Sequence, residues 1–259
     1  MRFKDRTVIV TGAGYGIGKQ IALAFGREGA HVVLAARSVD KLEAVAEELR
    51  AMGTRPLAQP LDVGHEERVR ELVERTLAEY GKVDVLVNNS GIAGPTALAR
   101  DIDGAEWLRA LNVNLTGAFY AAKHVSAPMI EARRGNIVNI GSVAGRIGFP
   151  LRTPYAASKW GMIGLSHSLA AELGPYGIRV NAILPGPTAG ERFDAVIVAR
   201  AQAIGKTFDR QMQDRIDAVP LRRLVTEEEV ANATAFIASD AASGVTGQAF
   251  SVCGGDRMQ

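Results

Sequence analysis

One cysteine in 259 residues, Cys253, leaves no internal disulfide to form, and no group of Cys and His has the spacing of a zinc site. A reducing compartment, no metal, and a small buried hydrophobe at Cys253 are the expectations. Runs of five or six like charges are also missing. Thirty basic residues against 28 acidic ones leave a net charge of +2, so neither a nucleic-acid groove nor a polybasic membrane patch is written into the chain. No stretch of 18 apolar residues offers a membrane span. The opening Met1-Arg2-Phe3-Lys4-Asp5-Arg6 is charged and runs straight into a strand-like segment, without the apolar core of a signal peptide. The expectation is a cytoplasmic protein whose partner is a small molecule, with no nucleic acid and no membrane. With 47% hydrophobic residues the chain can fill one large core, so residues 1–259 are read as one domain.

What is present begins with strand, glycine turn and helix. Residues 7–11 are mostly β-branched and lead into Gly12-Ala13-Gly14-Tyr15-Gly16-Ile17-Gly18, after which a helical pattern runs from Lys19 to Glu28. Glycines let backbone N–H groups approach a pyrophosphate, and a helix N-terminus adds positive partial charge. Placed between a first strand and a helix, the loop reads as a dinucleotide site rather than a plain turn. A second strand, 31–36, ends at Arg37, nineteen residues past Gly18, where such a fold reads the cofactor's ribose. Ala36 has no carboxylate for a 2′-hydroxyl, while the Arg37 guanidinium suits a 2′-phosphate. NADP(H) is therefore favoured, with NAD(H) open and a solvated arginine as the plainer reading.

A helix over 40–52 stops at Gly53, and a strand over 56–61 ends in Asp62-Val63. Asp62 stands either to bond the adenine amino group or to cap the helix over 65–80, whose apolar face is Val69, Leu72, Val73 and Leu77. The strand over 84–87 ends in Asn88-Asn89-Ser90-Gly91, amides and a glycine suited to holding backbone against a cofactor. Asp103 and Glu106 have the spacing of a capping box, opening a helix to about His124 with Asn114 inside it, either exposed or bonding something specific. A strand over 136–140 delivers Gly141-Ser142; the Tyr155 helix ends near Gly174-Pro175; a strand over 178–184 is stopped by Pro185-Gly186-Pro187. From Thr188 to Val225 no strand appears. Phe193 and Ile197, then Phe208, Met212 and Ile216 beyond Gly205, read as a helical lid over a substrate or a plain surface hairpin. A second capping box, Thr226 to Glu229, opens a helix to about Ser239, and a last strand covers 248–252.

About seven strands alternating with helices predict an α/β fold: a single Rossmann-type, doubly wound parallel sheet with helices on both faces and a site at the strands' carboxyl ends. Gly12, Arg37, Asp62, Asn88 and Ser142 all fall at such ends. Near them, Tyr155 and Lys159 are four apart on one helical face, so an ammonium lies close to a phenol and favours its ionised form. A tyrosine tuned below its usual pKa of about 10 serves as acid or base. Ser142, thirteen residues earlier, would hold the substrate oxygen.

These residues resemble the short-chain dehydrogenase/reductase family over nearly the whole chain. Thr11-Gly12-x-x-x-Gly16-x-Gly18 is similar to its cofactor loop, Asn88-Asn89-Ser90-Gly91 to its Asn-Asn-Ala-Gly element, and Asn114, Ser142, Tyr155 and Lys159 to its catalytic four. The resemblance implies an NAD(P)(H)-dependent oxidoreductase acting on a secondary alcohol or ketone, and a homotetramer. Tyr155 would be the general acid/base and Ser142 would polarise the carbonyl. Lys159 would bond the nicotinamide ribose and lower the Tyr155 pKa, and Asn114 would support a proton-relay water. Cofactor contacts are expected from Gly12, Gly14, Tyr15, Gly16, Ile17 and Gly18 in the loop and from Arg37, Asp62 and Val63 beyond it. Asn89, Gly91, Tyr155, Lys159, Pro185, Gly186 and Thr188 complete that set. Three positions depart from the pattern: Ser90 stands for Ala, Gly190 for a Thr that bonds the carboxamide, and Cys253 for an Asp.

Within the enzyme class the rival substrate is a 3-oxoacyl group on a carrier protein or CoA, met by Arg133, Arg134, Arg146 and Arg152 unless these are plain solvated charge. Phe149, Leu151 and Phe193 are offered as apolar lining, Arg152 and Arg192 as anion contacts. The rival from another class is a nucleotide-sensing protein without chemistry, which would need none of the catalytic four. His31, His65, His124 and His167 are scattered and read as structural.

Overall fold

A computed structural model describes residues 1–256. Short runs rich in Val, Ile and Leu become seven strands: β1 (Thr7–Thr11), β2 (His31–Ala36), β3 (Leu57–Pro60), β4 (Val85–Asn88), β5 (Gly135–Ile140), β6 (Ile178–Pro185) and β7 (Ala249–Val252). They form one sheet in the order β3-β2-β1-β4-β5-β6-β7, every neighbouring pair parallel. Every residue of β1, β4 and β5 is buried, which is why these strands read as apolar runs rather than alternating ones. The order reverses between β1 and β4, and the crevice at their carboxyl ends is where such a sheet receives a ligand.

Helices α1 (Gly16–Arg27), α2 (Val39–Ala51) and α9 (Glu227–Ala238) close one face around Ile21, Phe25, Leu42, Leu49, Val230 and Ile237. Helices α3 (Glu66–Tyr80), α5 (Gly117–Glu131) and α6 (Thr153–Leu173) close the other around Leu72, Leu86, Val125, Met129 and Leu169. Between them in sequence lie α4 (Gly104–Leu111), α7 (Glu191–Ala203) and α8 (Phe208–Asp217).

Several local expectations are corrected. α3 buries Thr76 completely and leaves Leu77 only partly covered, because the Thr76 hydroxyl donates to the Leu72 carbonyl at 2.7 Å and so needs no water. Asp103 does cap α4, accepting from the Ala105 N–H at 2.7 Å, but no reciprocal bond from Glu106 completes a box. The helix expected to end near His124 runs on to Glu131, and a π-helical turn, Asn112–Thr116, interrupts it. Asp62 caps no helix: its carboxylate accepts from the Gly64 N–H at 3.0 Å and shapes a turn, and α3 begins after His65 without a side-chain cap. α8 buries Gln211, whereas Phe208 stays exposed.

The segment holding α7 and α8 leaves and rejoins the body at one point. Thr188 and Val225 form an isolated parallel bridge, with the Ala189 N–H donating to the Val225 carbonyl at 2.8 Å and the Val225 N–H to the Pro187 carbonyl at 2.9 Å.

Candidate active site

Thr11, the last residue of β1, ties the two halves of the crevice together. Its hydroxyl accepts from the N–H groups of Asn89 and Ser90, each at 3.0 Å. The Asn89 amide donates in return to the carbonyls of Thr11 at 3.0 Å and Gly12 at 3.2 Å. The packing is tight: a methyl group at Gly18 would lie 2.1 Å from the Gly12 oxygen, and Gly12 itself needs φ of +68°. Gly14 rests against Lys41, and the ammonium of Lys41 lies 4.7 Å from the half-exposed Tyr15 ring.

α1 starts with Gly16 and Ile17 after Tyr15, with no side-chain cap and no acidic residue in its first turn. Its first turn therefore carries no acid of its own, in contrast to the acid-rich first turns of α3 and α9, and the nearest carboxylate there is that of Glu227, 3.2 Å from where a methyl group at Gly16 would lie. Such an end fits a pyrophosphate. Arg37, just past the end of β2, is exposed and makes no ion pair among the described residues. Val63 is buried against Gly117, where an added methyl group would lie 2.7 Å from it.

Asn114 sits in the π-helical turn, wholly buried, and bonds something specific. Its oxygen accepts from the Ile92 N–H at 2.7 Å; its amide donates to the Ile92 carbonyl at 3.1 Å and to the Ser158 hydroxyl at 3.0 Å. One side chain thus joins the loop after β4 to α6. The Ser158 hydroxyl donates in turn to the Tyr155 carbonyl at 2.7 Å. A second buried relay runs beneath, from the Asn88 amide to the Asn139 oxygen at 2.9 Å and from the Asn139 amide to the Ser166 hydroxyl at 2.8 Å.

Ser142, Tyr155 and Lys159 come from two elements. β5 ends in Ile140, and Ser142 follows, its hydroxyl accepting from the Ala144 N–H at 3.2 Å. α6 begins at Thr153 with Pro154 in its first turn, which places Tyr155 one step in and Lys159 one turn further on. Lys159 is buried and donates to the Ile140 carbonyl at 2.8 Å, its ammonium 5.7 Å from the Tyr155 ring centre. Burial pushes the Tyr155 phenol up, but Lys159, Arg192, a hydrogen bond with Ser142, and Arg152 together outweigh it and hold the phenol below its ordinary value. Burial likewise lowers Lys159, against the pull of the Tyr155 charge.

On the far side β6 closes with Pro185. The Gly186 N–H donates to the Val252 carbonyl at 2.9 Å, and a methyl group at Gly186 would lie 2.6 Å from Cys253, a buried thiol packed with Val143, Ala182 and Leu184. The Thr188 hydroxyl donates to the Gly186 carbonyl at 3.1 Å. Gly190 has φ of +139°, and a methyl group there would lie 2.6 Å from a Glu227 oxygen, so the space a threonine would need is taken.

The fold brings Gly12 to Gly18, Asn89, Gly91, Asn114, Ser142, Tyr155 and Lys159 around one crevice, with Arg37 and Asp62 at its outer strands. Sequence reasoning missed Ser158 and Asn139, whose buried polar positions on α6 and β5 were the available signal. It also missed Arg200, which stacks 5.6 Å from the Phe149 ring centre. Among the described residues no group of three or more His, Cys, Asp or Glu stands ready to hold a metal, and no helix is long and apolar enough to cross a membrane. His31 stacks on Tyr80 at 5.4 Å and His124 meets Glu66 at 3.2 Å.

Residues 12–256 match the family model described as Enoyl-(Acyl carrier protein) reductase. The chain is 37% identical over 255 residues to the 3-oxoacyl-(acyl-carrier-protein) reductase FabG of Staphylococcus epidermidis, covering 98% of this chain and 100% of that protein. Among solved structures, an NAD+-bound xylitol dehydrogenase superposes with a TM-score of 0.96 at 34% identity, covering 98% of this chain and 100% of that one. An actinorhodin polyketide ketoreductase with NADPH superposes with a TM-score of 0.94 at 35% identity, covering 98% of each chain.

Proposed function

The chain belongs to the short-chain dehydrogenase/reductase family, an NAD(P)(H)-dependent oxidoreductase acting on CH–OH or ketone groups, and from that premise we propose how its residues divide the work. Tyr155 gives a proton to the carbonyl oxygen in reduction and removes one from the alcohol in oxidation. The observation that carries this reading is the phenol held below its ordinary pKa beside a buried ammonium and Ser142. The nicotinamide cofactor, when bound, supplies or accepts the hydride. Ser142 donates a hydrogen bond to the substrate oxygen, and Lys159 keeps the phenol ionisable and faces the cofactor's ribose. Asn114, with its amide committed to Ile92 and Ser158, positions the β4 loop and α6 and so supports a relay water beside Tyr155.

Gly12, Gly14, Tyr15, Gly16, Ile17 and Gly18 receive the pyrophosphate, Asp62 and Val63 the adenine side, and Asn89, Gly91, Pro185 and Gly186 the nicotinamide side. Thr188, the hydroxyl left in that segment where Gly190 has none, takes the carboxamide. The exposed, unpaired Arg37 supports NADP(H) over NAD(H). Residues 188–225 act as a lid on an otherwise single dinucleotide-binding domain. A cytoplasmic homotetramer is in keeping with exposed Leu108, Phe119, Trp160, Phe236 and Phe250, apolar side chains that subunit contacts would cover. The likeness to FabG favours a second reading of the substrate, a 3-oxoacyl group on a carrier protein or CoA.

Purified protein is to be assayed with NADPH and with NADH against ketones, 3-oxoacyl thioesters and secondary alcohols. Tyr155→Phe keeps the ring and is expected to bind cofactor normally while losing about a hundredfold or more in turnover. Near-normal turnover by that variant removes Tyr155 from the chemistry.

A further inference from the structure

Arg152 and Arg192 both act on Tyr155, Arg200 and Arg192 act on Arg152, and no carboxylate of the described chain pairs with any of the three, of which Arg152 is buried, Arg200 partly buried and Arg192 exposed. Arg152 is only 3% exposed, and its guanidinium carbon lies 5.3 Å from the Tyr155 ring centre. Its partners are neutral: one terminal nitrogen donates to the Thr96 hydroxyl at 3.3 Å, the other to the Ala93 carbonyl at 2.7 Å, and Nε is buried with no partner at all. Arg200 lies over the ring of Phe149, whose carbonyl accepts from the Arg152 main-chain N–H at 3.2 Å, so the two cations share one loop. Arg192 stands over Gly91, where an added methyl group would lie 3.7 Å from its Nη2. Elsewhere Arg6 pairs with Asp240, Arg215 with Asp256 and Arg223 with Glu229, while Arg179 is met by the carbonyls of Ile237, Val245 and Ser239, which between them occupy both its terminal nitrogens.

Taking a guanidinium out of water is costly unless an anion meets it, and like charges packed together add to that cost. A cluster of this kind persists where the missing counter-charge arrives from outside, as at sites for carboxylates and phosphates. We infer that the pocket beside Tyr155 is an oxyanion subsite in which Arg152, assisted by Arg200 and Arg192, binds a carboxylate or phosphate carried by the substrate. The substrate is then an acidic ketone or alcohol, a short oxo or hydroxy acid or its phosphate counterpart, with the anionic group a few bonds from the reacting carbon. This rests on the reading of Tyr155 as proton donor, and it narrows that reading to one chemical class.

The test pairs each anion with a neutral twin: 4-oxopentanoate with its methyl ester, and dihydroxyacetone phosphate with dihydroxyacetone, under saturating cofactor so that the cofactor's own phosphates are already seated. The acidic member of at least one pair is expected to have kcat/KM about 30-fold or more above its twin, mostly through KM, and which pair shows it separates carboxylate from phosphate. Arg152→Gln and Arg200→Gln are each expected to shrink that ratio. Since Arg152 also braces the loop over 93–96, calorimetric titration of the wild-type protein with NADP+ present gives an independent readout. Succinate or inorganic phosphate should bind where succinamide does not, and Arg200→Gln should weaken it. Neutral twins used as well as the acids, with neither anion binding in the titration, would overturn the subsite. Anion binding without turnover of any ketone would keep the subsite and count instead against the proposed reaction.

Discussion

At Tyr155 two opposed effects meet in one side chain: burial, which disfavours the phenolate, and the cations Lys159, Arg192 and Arg152 with the Ser142 hydrogen bond, which favour it and prevail. The sign of the pH dependence follows. With Tyr155 as the proposed acid/base, reduction uses the protonated phenol, so its rate should fall as pH rises through the Tyr155 pKa, while oxidation uses the phenolate and should rise through the same value. Both inflections should lie below the ordinary value of 10.0. Lys159→Met removes the cation that lowers the phenol most, and both inflections should then move to higher pH. Initial rates in each direction between about pH 6 and pH 11, a span that brackets the titration of a phenol, are the measurement. An unchanged inflection in the variant would place the control elsewhere.

Among the elements, the π-helical turn at Asn112–Thr116 matters most to the site, because it carries Asn114 inward between the β4 loop and α6. Nothing in the sequence marks it: the apolar pattern runs on through the turn, and its purpose appears only when Ile92 and Ser158, 22 and 44 residues away, close on one amide. Asn114→Ala is expected to cost about 1–3 kcal/mol in urea unfolding, since it leaves the polar groups of Ile92 and the Ser158 hydroxyl short of partners. Helix starts were more legible. The Thr226 to Glu229 box is complete in both directions, and the Arg223 pair and the cap bonds hold the Glu229 carboxyl down at about 2. Its stabilising effect is present above the ordinary value of 4.5 and lost as pH falls from there towards 2. Thr226→Ala should lower stability by about 1 kcal/mol at pH 7, and the difference from wild type should narrow near pH 3, as paired thermal melts would show. The same spacing at Asp103 and Glu106 gave a half-made cap, because spacing alone does not decide where a glutamate turns.

Across the whole molecule, the alternation of strand and helix made the parallel sheet readable, and the residues at strand ends marked its working edge. The arginine cluster was less so. Arg152 and Arg200 are 48 positions apart, and only the loop around Phe149 brings them together. Cofactor choice belongs to this scale too, since the proposed reading needs both Arg37, exposed at the end of β2, and the glycine loop at the end of β1 to meet one ligand. Arg37→Ala should raise KM for NADPH about tenfold or more with little change for NADH, the scale of one lost charge-assisted contact. Equal effects on both cofactors would mean that Arg37 does not read the phosphate.

The Thr188 to Val225 bridge reaches further than its few hydrogen bonds suggest. Because the polypeptide departs and returns at adjoining positions, the 36 residues between them form a detour whose length places no demand on the register of β6 or β7. Such an arrangement is a cassette: so long as its ties to the turn after β7 are kept, the Leu221 N–H on the Gly254 carbonyl and Arg215 on Asp256, evolution, or an engineer, can exchange the rest and give the same floor a different roof.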